Sequence, residues 1–166
     1  MQFPMNTVTC DFASPLGRIK VAAASGEVVG VWFDDSDQLT PWTDCRTEPH
    51  NPVLQQVCEQ LDQYFAGQRI AFDLPIRMNG TAFQNAVWQM LMTMAYGSTV
   101  SYGTIGRCIG KPKTARAVGA ALRCNPCVIV VPCHRVIGAQ GNLTGYAGGL
   151  ARKTALLKLE AGLRVG

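Results

Sequence analysis

With 166 residues and 48% hydrophobic content, the chain is long enough to bury one core or two small ones without metals or disulfides, and no stretch is apolar over a membrane-spanning length. Its opening, Met1-Gln2-Phe3-Pro4-Met5-Asn6, lacks the basic-then-apolar order of an export signal, so seven cysteines, an odd number, read as reduced thiols in a cytoplasmic protein. The net charge of +4 conceals a division: residues 1–75 hold four Lys/Arg against ten Asp/Glu, and residues 76–166 hold eleven against one.

Residues 7–33 are rich in β-formers, broken by turn signals at Ser14-Pro15-Leu16-Gly17 and Ser25-Gly26, which predicts a short antiparallel meander. An acidic, Pro-containing loop follows over 34–52. Val53, Val57, Leu61 and Tyr64-Phe65 then recur at helical spacing up to Gly67. These elements make a small N-terminal α/β unit, and the composition changes around Leu74-Pro75, which sets its boundary: residues 1–75 and 76–166 are the expected domains.

In the second half, Thr81-Ala82-Phe83-Gln84 has the capping-box pattern, and Phe83, Val87 and Leu91 continue it as an amphipathic helix expected to end near Gly97. Ser101 caps a short helix with Ile105, Cys108 and Ile109 on its apolar side, stopped by Gly110 and Pro112. A further helix over 113–123 places Ala115, Val118 and Leu122 inward and Arg116, Ala117, Ala120 and Arg123 outward. Two short helices joined by a Gly-containing turn resemble a helix-turn-helix. The outward face alternates cations with near-bare backbone, which suits close approach to a groove. Together with the eleven cations this points to a polyanion, since cations that neutralise phosphates release condensed counterions. A solvated basic surface is the plainer alternative. A Gly-rich segment over 138–149 is too long for a simple turn, and a last helix is expected over 151–163.

Candidate chemistry gathers at Val131-Pro132-Cys133-His134-Arg135. The apolar run Val128-Ile129-Val130-Val131 reads as a buried strand that would hold Cys133 rigidly, with cationic neighbours favouring its thiolate. On a strand, adjacent side chains point to opposite faces, so His134 would reach Cys133 only through a turn or a bridging water. An inert core cysteine is the alternative. Glu160, the sole carboxylate after residue 75, falls within a stripe of Leu156, Leu157 and Leu163 and therefore needs a partner. Either it orients His134 as the base for Cys133, or it pairs with Arg135 or Arg164. Cys124-Asn125-Pro126-Cys127 is a lone CxxC without the further ligands of a zinc site. Cys10, Cys45 and His50 are scattered, so no metal is expected.

Pro132-Cys133-His134-Arg135, Arg123-Cys124-Asn125-Pro126, Ser101-Tyr102-Gly103 and Gly145-Tyr146-Ala147-Gly148-Gly149 closely resemble the methylated-DNA:protein-cysteine methyltransferases, or O6-alkylguanine-DNA alkyltransferases. The resemblance covers nearly all of residues 76–163, and Ser14-Pro15-Leu16-Gly17 is similar to the start of the family's N-terminal domain. It implies an α+β protein: a ribonuclease-H-like unit with a three-stranded antiparallel sheet, then a mostly helical, winged-helix-like domain containing the helix-turn-helix. The implied activity is irreversible, single-turnover transfer of an alkyl group from O6-alkylguanine, and from O4-alkylthymine, in double-stranded DNA to Cys133. His134 and Glu160 would form a relay through a water, and Asn125 a brace beneath the active site. Tyr102, Thr114, Ala115, Arg116, Ala117, Gly119 and Arg123 would bind DNA in the minor groove, Arg116 entering the base stack and Tyr102 pushing the adjoining phosphate as the base flips. Leu122, Val136, Tyr146, Ala147 and Gly148, with Tyr102, would line the base pocket. The resemblance implies no cofactor, no obligate protein partner and a monomer.

Ala147 stands where many members have Ser, removing one hydrogen bond to the base, and the residues that bind zinc in some relatives have no counterpart. A lesion sensor, a transcriptional regulator using the helix-turn-helix alone, and a Cys-His hydrolase are the rival readings. Sensors replace the acceptor cysteine, a regulator forms no covalent product, and a hydrolase turns over repeatedly without needing the basic half.

Overall fold

The computed structural model describes residues 4–35 and 45–163, so part of the acidic loop, and Arg164, lie outside the described residues. The chain divides into two compact units between Met78 and Asn79.

In the first unit, β1 (Val8–Ser14), β2 (Gly17–Ala24) and β3 (Glu27–Phe33) form the antiparallel meander. Both hairpins turn where the sequence signals them. Ser14 Oγ donates to the Gly17 carbonyl and accepts the Leu16 amide, and Ser25 and Gly26 both take positive φ, the twist-matched geometry of a two-residue hairpin loop. A two-residue strand, β4 (Arg46–Thr47), adds parallel to β1, giving the order β3-β2-β1-β4. The helix α1 (Pro52–Phe65) starts where the Asn51 side chain accepts the Val53 and Leu54 amides with Pro52 in the first turn, and buries Leu54, Val57, Leu61 and Tyr64. Residues 75–77 run beside β3, the Val28 amide donating to Pro75 and the Arg77 amide to Val28. Arg77 also pairs with Glu27. The division therefore falls a few residues after Leu74-Pro75.

The second unit is mostly helical: α2 (Ala82–Met92), β5 (Val100–Ser101), α3 (Tyr102–Cys108), α4 (Ala115–Arg123), a 3-10 turn at Cys133–Arg135, β6 (Val136–Ile137) parallel to β5, and α5 (Leu150–Glu160). Thr81 and Gln84 close the capping box of α2 reciprocally, and the Trp88 indole donates to the buried Ala121 carbonyl of α4. The helix stops at Met92, short of Gly97. Gly97 has φ +73°, and a Cβ there would meet the Glu160 carbonyl at 3.0 Å, so residues 93–97 leave the helix to pass close against the end of α5. Ser101 caps α3 through the Thr104 amide. At Gly106 a Cβ would lie 2.7 Å from Thr114 Oγ1; only glycine lets α3 approach the turn before α4 so closely. Among the described residues no helix is long and apolar enough to cross a membrane.

Candidate active site

The apolar run before Cys133 is a buried turn and not the strand its composition suggests. Ile129 takes φ +72°, and the Val131 amide closes back on the Cys127 carbonyl at 2.8 Å. Asn125 makes this turn possible: fully buried, its Oδ1 accepts the Cys127 amide at 3.0 Å and its Nδ2 donates to the Val131 carbonyl at 2.9 Å. A side-chain amide thereby satisfies backbone groups that a neighbouring strand would otherwise pair. The same Nδ2 lies 3.1 Å from Cys133 Sγ.

Cys133 and His134 follow in the 3-10 turn, both buried. The turn, unlike a strand, does not send the two side chains to opposite faces. Cationic neighbours in the sequence favour the thiolate, but here burial prevails. Desolvation pushes the Cys133 thiol up to about 11, against smaller lowering effects from the Asn125 hydrogen bond and Lys153. The resting group is a thiol.

Glu160 pairs with His134 and Arg135 together. Its Oε1 meets His134 Nε2 at 2.7 Å and Arg135 Nη2 at 3.0 Å, while Oε2 accepts Arg135 Nε at 2.8 Å and the Gly97 amide at 3.0 Å. Burial alone would raise this carboxyl, but hydrogen bonds from His134 and Arg135 hold it far below the usual carboxylate range. Arg135 is itself fixed by the Met94 carbonyl at 2.9 Å and lies over the Tyr96 ring. An ionised carboxylate only accepts, so neutral His134 carries its proton on Nε2, and Nδ1 keeps a lone pair. Nδ1 is buried with no hydrogen-bond partner among the described residues. Burial lowers the His134 pKa in spite of Glu160, so the imidazole is neutral at pH 7 and able to take a proton.

In the sequence Lys153 reads as one more cation for a polyanion; it is instead completely buried. Its Nζ donates to the carbonyls of Val136 at 2.5 Å, Thr144 at 2.7 Å and Gly145 at 3.2 Å, tying the Gly-rich segment to β6. The signal was present: Lys153, Leu156 and Glu160, spaced three and four apart, share the buried side of α5.

The remaining residues fall into two groups. Val136 and Leu122 are buried, Gly148 is buried and Ala147 half-buried. The Tyr146 ring stands edge-on to His134 at 6.5 Å, its hydroxyl buried without a hydrogen-bond partner among the described residues. On α4, Arg116, Ala117, Ala120 and Arg123 are exposed as expected. Ala115, expected inward, is exposed too; the buried side is Val118, Ala121 and Leu122, because the helix begins only at Ala115, after Lys113 in a left-handed conformation. Thr114 precedes it as N-cap. Tyr102 joins the groups: its hydroxyl donates to the Thr144 carbonyl at 2.8 Å, and its ring lies 3.7 Å from where a Gly119 Cβ would stand. Cys124 is exposed and Cys127 fully buried, and no cluster of three or more metal-ligating side chains occurs among the described residues.

Two family models match the chain: "6-O-methylguanine DNA methyltransferase, ribonuclease-like domain" over residues 11–78 and "6-O-methylguanine DNA methyltransferase, DNA binding domain" over residues 82–162. The methylated-DNA–protein-cysteine methyltransferase of Mycobacterium bovis is 51% identical over 150 residues, 89% of this chain and 88% of its own length. The constitutive enzyme of Bacillus subtilis is 40% identical over 154 residues, 89% and 91% of the two chains. Among solved structures, Mycobacterium tuberculosis OGT in complex with DNA superposes with a TM-score of 0.89 at 41% identity, covering 93% of each chain.

Proposed function

The chain belongs to the 6-O-methylguanine DNA methyltransferase family, sharing its repair of O6-alkylguanine in DNA by alkyl transfer to a cysteine, and we propose that Cys133 is the acceptor. The observation that carries this reading is the buried row Cys133, His134, Glu160, Arg135, in which the His134 Nδ1 lone pair has no hydrogen-bond partner among the described residues.

The geometry supports the following course. A water between Cys133 Sγ and His134 Nδ1 passes the thiol proton to the imidazole, and the imidazolium that forms is stabilised by Glu160, already ionised and held by Arg135 and Gly97. The thiolate attacks the alkyl carbon as the carbon–O6 bond breaks. Guanine leaves with the bonding electrons and takes up a proton, and the cysteine becomes a thioether. Nothing in the site cleaves a thioether, so each chain acts once.

The target base must leave the stack to reach a buried sulfur. The exposed Arg116, Ala117, Ala120 and Arg123 face of α4, with Thr114, Ala115 and Gly119 at its start and side, suits the minor groove, where small side chains let the backbone approach. Arg116 would fill the gap in the stack and Tyr102 would press the phosphate beside it. Leu122, Val136, Tyr146, Ala147 and Gly148 would enclose the flipped base, and O4-alkylthymine, which offers the same alkyl–oxygen bond, would be a second substrate.

Intact-mass and peptide mass spectrometry after mixing excess methylguanine duplex with the protein, beside Cys133→Ser, tests the proposal. One methyl group per chain, confined to Cys133, is the expected result. An unmodified protein that still binds the damaged duplex would leave a lesion sensor instead.

A further inference from the structure

The N-terminal unit carries a pair of sulfurs that stands apart from the alkyl-transfer chemistry proposed for Cys133. Cys10 on β1 and Cys58 on α1 lie with Sγ atoms 3.6 Å apart, in hydrogen-bond contact, both as free thiols. Their elements are held together further along by Phe12 stacked on Phe65 at 6.4 Å, so the contact is anchored by packing on the same strand and helix. Cys10 is buried and Cys58 partly exposed.

The two thiols are inequivalent. The hydrogen bond between them holds Cys58 below the usual thiol value, against burial, and together with burial pushes Cys10 well above it. The more accessible sulfur is thus the better nucleophile, with a second thiol beside it to resolve whatever forms there. A disulfide needs the sulfurs about 2.05 Å apart, a closure of roughly 1.5 Å from the present contact.

We propose that Cys10 and Cys58 are an oxidation site, a dithiol that hydrogen peroxide converts to an intramolecular disulfide without involving Cys133. The Cys58 thiolate attacks one peroxide oxygen and breaks the O–O bond, giving a sulfenic acid and hydroxide. The Cys10 sulfur then attacks the sulfenic sulfur, the S–O bond breaks, and its oxygen leaves as water. Overall two thiols and one peroxide become one disulfide and two waters. Cys133, buried and protonated, is a poorer target for the same oxidant. The cross-link restricts the unfolded ensemble between residues 10 and 58 and so stabilises the folded unit.

The test treats the full chain with a small excess of hydrogen peroxide, blocks remaining thiols, and maps peptides without reduction. The expected result is a Cys10–Cys58 linked peptide as the first disulfide to form, reversible by dithiothreitol, with a thermal midpoint raised by about 5 °C or more and methyl transfer to Cys133 intact. In Cys10→Ala, Cys58 should be oxidised more slowly, having lost the hydrogen bond that lowers its pKa, and stop at a sulfenic acid trapped by dimedone; in Cys58→Ser neither the link nor the shift should form. Oxidation of wild-type Cys58 without a link to Cys10 would overturn the proposal. So would a link that forms no faster than disulfides between exposed Cys108 or Cys124 of different chains, or methyl transfer that falls in step with the link.

Discussion

Replacing Glu160 by Gln should damage stability and chemistry by separable routes. Both carboxylate oxygens accept from two donors each among the described residues: His134 and Arg135 on Oε1, and Arg135 and the Gly97 amide on Oε2. An amide offers one accepting oxygen, so whichever way it turns, two donors face its NH2 group, and Arg135 keeps a buried charge with no counter-charge. Removing one partner of a buried ion pair costs about 3–5 kcal/mol, which for a unit of this size lowers the midpoint by roughly 12–40 °C. If the NH2 group faces His134, the imidazole must accept at Nε2 and carry its proton on Nδ1, which removes the base; a general base contributes about 100-fold or more. The double variant Arg135→Met/Glu160→Gln separates the two effects. Without the orphaned cation it should regain stability to within about 2 kcal/mol of wild type, while transfer stays slow. Thermal unfolding by circular dichroism and single-turnover transfer from a methylated duplex measure the two quantities. If the double variant recovers its rate, Glu160 does not act through His134; if it recovers no stability, the Arg135 charge is not the source of the loss.

Asn125→Ala should cost roughly 2–6 kcal/mol in urea unfolding, because the hydrogen bonds from Asn125 to the buried Cys127 amide and Val131 carbonyl are both lost. It should also slow transfer, since the thiol loses a hydrogen bond that helps its ionisation. Cys133 should make the protein alkali-sensitive. Its folded pKa of about 11 lies above the ordinary 9.0, so its contribution is complete below pH 9 and is lost as pH rises through 11. The loss is about 3 kcal/mol at about 1.4 kcal/mol per pH unit, and stability curves of Cys133→Ala should lack that component. Lys153→Met should free the 138–149 segment, seen as faster amide exchange there, and slow transfer by about tenfold or more, while affinity for undamaged duplex stays unchanged. Arg116→Ala should slow transfer from methylated duplex by about tenfold, consistent with the few kcal/mol needed to unstack a base, yet leave reaction with a free alkylguanine base unaltered; equal loss on both substrates would place Arg116 outside base extrusion.

Much of the architecture was legible because it rests on interactions local in the chain. Thr81 with Gln84, Ser101, and Ser25-Gly26 each act on backbone within a few residues, and the structure uses all three as the sequence suggests. Glu160 stood out because a lone carboxylate in an apolar stripe is a physical anomaly whatever the fold. The amphipathic spacing of α4 likewise exposed the Arg116 and Arg123 face, although not the outward position of Ala115, which depends on where the helix begins.

Residues 128–131 misled because an apolar run records burial and not backbone conformation. A strand and a buried turn are equally apolar, and here the choice is made by Asn125, whose amide pairs the Cys127 amide and Val131 carbonyl in place of a neighbouring strand. The protonation of Cys133 follows from the same cause, since desolvation depends on everything packed around the sulfur and outweighs the cations beside it in sequence. Lys153 shows the converse: a charge that composition assigns to the surface lies inside because three carbonyls from β6 and the Gly-rich segment converge on it. By itself, then, the sequence determined most of the elements and their caps and singled out the candidate reactive residues, all from side chains a few positions apart. Only the tertiary structure decided how those residues are protonated and held, because burial and hydrogen-bond partners come from segments distant in the chain.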